Sequence, residues 1–580
     1  MSAGNIRENI DSMEKEEREY TIWSRQDLSE ELRSQMLEIK DNPEEISDRF
    51  ATGLSFGTSG MRGRMGAGTS RMNSPVVRRA TLGIADYVLQ KYEQPAMVIS
   101  YDTRMHSEEF AQTAARTLAE RGVDAWMMPS PQPVPLLSFA VRALGLAGGI
   151  MTTASHNPRE YNGYKVYDHF GNQINDEKAR EIEKYIESRD YFEPAEDDQK
   201  KRGSIQIVPQ ALIEAYRSSI SERAVWRKKT EKACRQMMSA LSVIYTPLNG
   251  TGLSHVTAIL RRLGIQDLEV VACQTGTDGQ FSTCPSPNPE YRKAFAEAEK
   301  LAQERILRGE KPADLLLATD PDSDRMGVMV RDGSQYVLLS GNQAGELIFN
   351  YLCDVAEESG SLQQKVVCKS LVSSPLVDRM AAARGVQVVN TLTGFKNIAG
   401  VMERLHQEGR EEDFLFGFEE SHGYLYGTYT RDKDGVMACQ LICLTAASCM
   451  QEGKSLLGKL QQLHEIYGYM ETRTGAVHFQ REKDRQVMES MMQDLFAGGL
   501  TQVGGFLPVT DRTYEAERVF QAQAGTHRFV IRPSGTELKL KAYVFAVGES
   551  QEKASAAADG ILKELMEWLN IKKGEKMQNE

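Results

Sequence analysis

The sequence predicts an α/β protein built of four unequal domains, and three observations carry that expectation. Its 580 residues are about four times the ~150 residues of one ordinary domain, so several packed cores are needed. Short aliphatic or β-branched runs alternate with helical stretches along most of the chain, the rhythm of α/β units with mixed or parallel sheets. The last stretch breaks that rhythm: it opens helical and ends in HRFVIRPSGTELKLKAYVFAV, which reads as strands. With 41% hydrophobic and 26% charged residues, the composition is that of a folded globular chain and excludes wholesale disorder, collagen and coiled coil. No short-period repeat is present, which excludes solenoids and propellers.

Taken in order, residues 10 to 50 place Ile22, Trp23, Leu28, Leu32, Met36 and Ile39 among Glu, Lys and Arg at spacings of three to six, which predicts amphipathic packing helices. Ala96 to Tyr101 reads as a strand, Ser107 to Arg121 as a helix, and Val123 to Met128 as the next strand. DYFEPAEDDQKKRGS, residues 190–204, is nearly free of aliphatic side chains and reads as a surface loop near a domain edge. The second unit opens with LSVIYTPLNGTG and holds ADLLLATDPDSDR; the third carries KVVCKSL, VQVVNTLTGFKN and FLFGFEESHG. The expected divisions are therefore 1–215, 216–340, 341–455 and 456–580.

The balance of 81 acidic against 69 basic side chains leaves a net charge of −12, which opposes general attraction to nucleic acid or an anionic membrane. Any anion site must be built locally. MSAGNIRENIDSMEKEEREY contains no apolar leader core, and no run of 18 apolar residues occurs, so the expected compartment is the cytoplasm. Eight cysteines form no CxxC pair; Cys439, Cys443 and Cys449 fall in an apolar stretch that reads as buried helix, so reduced structural thiols are expected.

GxxxxGK[ST] is absent and GTSGMRGRMGAG does not fit GxGxxG, which disfavours ATP or NAD chemistry. DPDSDR sets Asp320, Asp322 and Asp324 two residues apart after a strand end, where carboxylates converge on a hard cation with Mg²⁺ the natural candidate. An EF-hand would need Gly and Glu where Arg325 and Arg331 stand. In TTASHNPREYNGYKVY, Ser155 follows the small apolar LAGGIM and is placed as a strand-end nucleophile, with Lys165 ten residues on; alone, SHNP also reads as an Asx-type turn. His156 is not expected to be its base, because neighbours on an extended chain face opposite ways. RPSGTELK gathers Arg532, Ser534, Thr536 and the backbone around Gly535 in one loop suited to a phosphate dianion. GFEESHG presents Glu419, Glu420 and Ser421 as acceptors for sugar hydroxyls, TLTGFKN offers Lys396 as a mobile cation or base, and FGTSGMRG puts Arg62 in a Gly-rich turn. Each of these alone also fits an ordinary turn or solvated surface. DKDG, with Asp432 and Asp434, reads as a turn.

Jointly and in this order, FGTSGMRG, TASHNP, DPDSDR, GFEESHG and RPSGTELK resemble the signature loops of the α-D-phosphohexomutase superfamily across residues 50 to 545. The length and the GFKN and GFEESHG loops are similar to the phosphoglucomutase and phosphopentomutase type. The resemblance implies three related α/β domains and a smaller C-terminal α+β domain around a central cleft, each supplying one loop. It implies that Ser155 carries the phosphoryl group and that Asp320, Asp322 and Asp324, with a phosphoserine oxygen, hold Mg²⁺. Arg62 and Arg325 would surround the transferred group, Glu419 and Ser421 the sugar hydroxyls, and Arg532, Ser534, Gly535 and Thr536 the non-reacting phosphate. Lys165 and Lys396 would serve proton transfer and positioning. The implied activity is interconversion of glucose 1-phosphate and glucose 6-phosphate, with glucose 1,6-bisphosphate as intermediate and activator. Pentose or mannose phosphates are the alternatives, and a sugar phosphatase the remote one. Leu538 stands where the commoner pattern has Pro, and His422 directly follows Ser421, so no catalytic role is expected for it.

Overall fold

The computed structural model describes residues 14–57, 60–193, 202–227, 231–479, 484–534 and 538–578. Ahead of the first sheet, helices Lys15–Ser24, Glu30–Glu38 and Pro43–Phe50 bury Trp23, Leu32, Met36, Ile46 and Phe50. Trp23 packs edge-on against Phe50 and Phe192. Ser29 and Asn42 each accept a hydrogen bond from the backbone N–H three residues on and so start the second and third of these helices.

The first sheet runs Met61–Arg64, Tyr161–Asp168, Gly148–Thr152, Ala96–Tyr101, Asp124–Met127, Ile205–Ile207. Its last four strands are parallel and its first two pairings antiparallel. Of the expected 190–204 loop, residues 194–201 lie outside the described residues. The second sheet runs Gln335–Leu338, Met326–Asp332, Leu315–Thr319, Ser242–Thr246, Asp267–Val270, and the third Gln387–Thr391, Val366–Ser370, Phe414–Glu419, Gly423–Tyr426. In both, the central strands are parallel and a hairpin closes one edge. Leu315–Thr319 and Ser242–Thr246 are buried at every position, as strands covered on both faces must be. The fourth sheet is wholly antiparallel, in the order Tyr469–His478, Lys539–Gly548, His527–Pro533, Phe520–Ala524, Val509–Asp511, with helices Arg485–Phe496 and Gln551–Gln578 packed on it.

Helix Gly435–Gln451 is buried from Gly435 to Cys449, which explains its apolar character all round. It packs against helices Glu231–Ala240, Leu253–Leu263 and Gly341–Glu358, so the first three units share one continuous core. The fourth unit meets the third through a small apolar seam of Leu371 and Val372 against Val519, Val530, Tyr543 and Phe545. All eight cysteines are free, and seven are buried. No helix among the described residues is long and apolar enough to cross a membrane.

Candidate active site

In the first three units the site loops leave the carboxyl ends of strands, where open α/β sheets form their crevices. After Gly148–Thr152 the chain turns through Ser155, which has φ 51° and is buried. Its N–H donates to Thr153 Oγ1 at 2.8 Å and its Oγ donates to Asp320 Oδ2 at 2.8 Å. Arg104 holds the turn from behind, donating to the carbonyls of Ser155, Asn157 (2.5 Å), Pro158 (3.0 Å) and Tyr161 (3.3 Å). Its charge is matched by buried Asp102, 3.3 Å from Nε.

The left-handed conformation of Ser155 corrects the sequence argument about His156. The chain is not extended there, and His156 Nδ1 comes within 3.1 Å of Ser155 Oγ. Burial, then the charges of Arg325, Arg62, Arg104 and Lys165, holds the pKa of His156 well below the ordinary value, so the imidazole is neutral.

Asp320, Asp322 and Asp324 follow Leu315–Thr319 in a turn that includes Ser323 at φ 53°. They are the one set of three metal-ligating side chains among the described residues whose donor atoms fall within 4.8 Å of one another. Asp320 accepts from Ser155 Oγ and from the Arg325 N–H at 3.0 Å. Lys165 Nζ donates to Asp322 Oδ2 at 2.8 Å and Asp324 Oδ2 at 3.4 Å, while Lys433 Nζ lies 2.8 Å from Asp324 Oδ2. That leaves Asp322 Oδ1 and Asp324 Oδ1 buried without a hydrogen-bond partner. Oxygen-only donors with two orphaned carboxylate oxygens fit a hard divalent cation. Burial and the charges of Asp322 and Asp324 push Asp320 well above the usual carboxylate range. At Asp324 burial acts in the same direction, but Lys433, Lys165 and Arg325 outweigh it and hold the carboxyl below that range.

Arg62, on strand Met61–Arg64, donates to Asn157 Oδ1 at 3.0 Å. The turn before it requires glycine: Gly60 has φ 72°, and a Cβ there would lie 1.8 Å from the Tyr164 carbonyl oxygen. Arg325 pairs with Glu290, and its buried Nε lies 3.8 Å from Asp324 Oδ1 without a hydrogen bond.

Glu419 ends strand Phe414–Glu419 and accepts from the Gly394 N–H at 2.7 Å. Ser421 lies in the following turn, half-buried. His422, at φ 65°, ties that turn to the acidic loop: its Nδ1 is 3.2 Å from the Met326 carbonyl oxygen, and its own carbonyl accepts from Met326 N–H at 3.1 Å. Lys396 is not brought onto the acidic triad; its Nζ donates to Asp176 Oδ1 at 2.7 Å.

In the fourth unit, Arg532 donates to the Pro533 carbonyl and to Tyr543 Oη at 3.1 Å, while its buried Nε has no hydrogen-bond partner. The Ser534 N–H donates to the Lys539 carbonyl at 2.9 Å. Gly535 and Thr536 lie outside the described residues. Lys541 and Tyr543, on the adjoining strand, feel the charges of Glu420, in the turn after strand Phe414–Glu419, and of Glu290, the partner of Arg325.

Sequence reasoning missed Arg104, Asn157, Glu290 and Lys433. Arg104 carries a readable signal, an arginine just beyond the apolar strand Ala96–Tyr101. Lys433 sits inside DKDG, which reads as a turn. That reading overlooks that Asp434 caps the buried helix, accepting from Val436 and Met437 N–H, and so fixes where the lysine projects.

Comparison with known proteins bears on the whole arrangement. Family models described as "Phosphoglucomutase/phosphomannomutase, alpha/beta/alpha domain" I, II and III match residues 53–193, 214–333 and 340–467. A phosphoglucomutase of Staphylococcus haemolyticus (strain JCSC1435) is 34% identical over 530 residues, covering 87% of this chain and 92% of its own. One of Staphylococcus aureus (strain MRSA252) is 32% identical over 523 residues, covering 86% and 91%. Among solved structures, a phosphoglucomutase/phosphomannomutase family protein from Burkholderia thailandensis shares the fold with a TM-score of 0.64 at 17% identity, covering 88% of this chain and 96% of that one. The open form of parafusin, a phosphoglucomutase from Paramecium, does so with a TM-score of 0.63 at 15% identity, covering 90% and 95%. With three family domains matched in succession and curated relatives covered over about nine-tenths of their length, this chain belongs to the phosphoglucomutase/phosphomannomutase family and is an isomerase of the mutase type.

Proposed function

We propose that the chain interconverts glucose 1-phosphate and glucose 6-phosphate, with Ser155 as phosphoryl carrier and glucose 1,6-bisphosphate as the intermediate. The observation that carries this reading is the seating of Ser155 Oγ on Asp320, inside a carboxylate triad flanked by Lys165, Arg325 and neutral His156. The names borne by the relatives at 31 to 34% identity favour glucose phosphate. Domain limits near 215, 340 and 455 are part of the proposal, the first lying within helix Gln210–Glu222 and the last just ahead of helix Leu456–Tyr467, which the third family match still includes.

Asp320, Asp322 and Asp324 would hold Mg²⁺, which when bound offsets negative charge on the transferring phosphoryl oxygens. The chain's own groups do the rest. Phosphorylated Ser155 loses its phosphoryl group to a free sugar hydroxyl: the Ser O–P bond breaks, a sugar O–P bond forms, and the hydroxyl proton passes to a basic side chain. Lys165, seated between Asp322 and Asp324, has its pKa raised by those two carboxylates against the effect of burial, so it acts as a cation. Lys396 is the other lysine proposed for taking that proton, and reaching it would require the side chain to leave Asp176. Arg62 and Arg325 contact the transferred group. Glu419 and Ser421 hold sugar hydroxyls, and Arg532, Ser534, Gly535 and Thr536 hold the phosphate that is not reacting. After the bisphosphate turns over, its original phosphate faces Ser155 and returns to it, leaving the isomeric monophosphate.

A coupled assay tests this reading. Glucose 1-phosphate, Mg²⁺ and trace glucose 1,6-bisphosphate should yield glucose 6-phosphate without stoichiometric inorganic phosphate. Phosphate release matching substrate loss would make the protein a phosphatase instead. Because Glu419 and Ser421 address hydroxyls common to glucose and mannose, mannose 1-phosphate and ribose 1-phosphate belong in the same experiment, where glucose 1-phosphate should give the highest kcat/KM.

A further inference from the structure

Lys433 has no part in the scheme above, yet its surroundings are among the most constrained in the protein. On either side stand aspartates that are fully engaged. Asp432 accepts from Tyr167 Oη at 2.7 Å and from the Lys433 N–H at 2.9 Å. Asp434 accepts from Tyr216 and Tyr429 hydroxyls and from the first N–H groups of helix Gly435–Gln451. The lysine stem lies against the backbone of Gly423, where a Cβ would come within 2.4 Å of its Cδ, so any larger residue at 423 would displace it. This scaffold delivers the ammonium to Asp324 Oδ2 at 2.8 Å, with the side chain only 13% exposed.

Besides the adjacent Asp432, whose Oδ1 lies 3.5 Å from the ammonium, two carboxylates feel that charge. Asp324 belongs to the acidic triad of the second unit, and Glu419 to the sugar-type loop of the third. Lys433 Nζ meets Asp324 directly at 2.8 Å, its stem crosses the sugar-type loop at Gly423, and at Glu419 it is the strongest charge opposing the upward push of burial. Lys165 already holds the same Asp324 oxygen from the first unit, at 3.4 Å. The orientation of the carboxylate thus has a second support, and the particular contribution of Lys433 is its charge. An ammonium this close to a cation site repels the cation, and one that also faces the sugar-type loop attracts an anionic substrate.

We propose that Lys433 is a positioning residue that acts as a built-in counter-cation between the acidic loop and the sugar-type loop, weakening divalent-cation binding while strengthening sugar-phosphate binding. The proposal rests on the metal-dependent mutase reading. Its signature is two affinities moving in opposite directions, because a single positive charge has opposite signs of interaction with the two ligands. Damage to the packing of the site would weaken both.

The test is calorimetric titration of the full-length protein, first with Mg²⁺ and then, with Mg²⁺ present, with glucose 6-phosphate, for wild type, Lys433→Met and Lys433→Arg. In Lys433→Met the Mg²⁺ dissociation constant should fall by about tenfold and that of glucose 6-phosphate rise by at least about tenfold, both in the range a single unscreened charge produces. Lys433→Arg should restore both toward wild type. Weakening of both ligands in Lys433→Met, or no change in either, would overturn the proposal while leaving the mutase reading intact. Asp322→Asn serves as the control for the site itself: if wild type bound Mg²⁺ no better than Asp322→Asn, the metal site and this proposal would both fall.

Discussion

Ser155 Oγ donates to Asp320 Oδ2 at 2.8 Å across 165 positions of sequence and between two different sheets. This bond joins the Ser155 loop of the first unit to the acidic loop of the second. It is supported by backbone bonds that fix the second loop to its neighbours: Val134 N–H donates to the Asp322 carbonyl at 3.0 Å, and Gly435 N–H to the Ser323 carbonyl at 3.0 Å. A hydroxyl held this way sits where a phosphate on it would meet the triad.

In the proposed reaction Ser155 carries the phosphoryl group, and replacing it by Ala removes that oxygen and little packing. Turnover should fall by roughly 10³-fold or more, with the thermal unfolding midpoint within a few degrees of wild type. Steady-state kinetics and calorimetry on the purified variant check both halves.

The orphaned oxygens of Asp322 and Asp324 predict that the protein loses activity on chelation with EDTA and recovers it with Mg²⁺. Asp322→Asn should weaken Mg²⁺ binding by at least about tenfold. A chelated enzyme that retained full activity would remove the cation from the account.

Arg104 and Asp102 form a buried ion pair that also satisfies four loop carbonyls through the arginine. Arg104→Met leaves Asp102 uncompensated, at a cost of about 3–5 kcal/mol, and frees the turn that presents Ser155. Denaturant titration should show that loss of stability, with kcat falling as well.

These three places in the site differ in how far they can be read from the sequence. Asp320, Asp322 and Asp324 are legible because one short segment holds all the ligands, and the strand before it is an unbroken apolar run. Ser155 is legible as a strand-end hydroxyl, but its left-handed φ is not, and so the approach of His156 was lost with it. Arg104, Lys433 and Glu290 act through partners dozens to hundreds of residues away, and their roles depend on how three sheets pack together. Strand Ala96–Tyr101 and the buried helix that carries Cys439, Cys443 and Cys449 follow directly from local pattern.

Glu346 offers a test of stability against pH that is independent of catalysis. It is buried in helix Gly341–Glu358, accepts from Ser374 Oγ, and has its second oxygen orphaned 4.0 Å from His464 Nε2. Burial raises its pKa from 4.5 to about 8. The folded value lies above the unfolded one, so the native state holds the proton more tightly. The associated stability is complete below pH 4.5 and is lost as pH rises through about 8. Glu346→Gln keeps the acceptor for Ser374 without the charge. It should unfold at a higher temperature than wild type above pH 8 and at nearly the same temperature at pH 5, as scanning calorimetry at the two pH values will show.

The most direct test of the central claim is to find where the phosphoryl group resides. The protein is incubated with glucose 1,6-bisphosphate and Mg²⁺, then analysed by intact-mass and peptide mass spectrometry. One added phosphoryl group per chain is predicted, on the peptide containing Ser155 and absent from Ser155→Ala. A phosphoryl group mapped to another residue, or turnover with Ser155 unmodified throughout, would contradict the account.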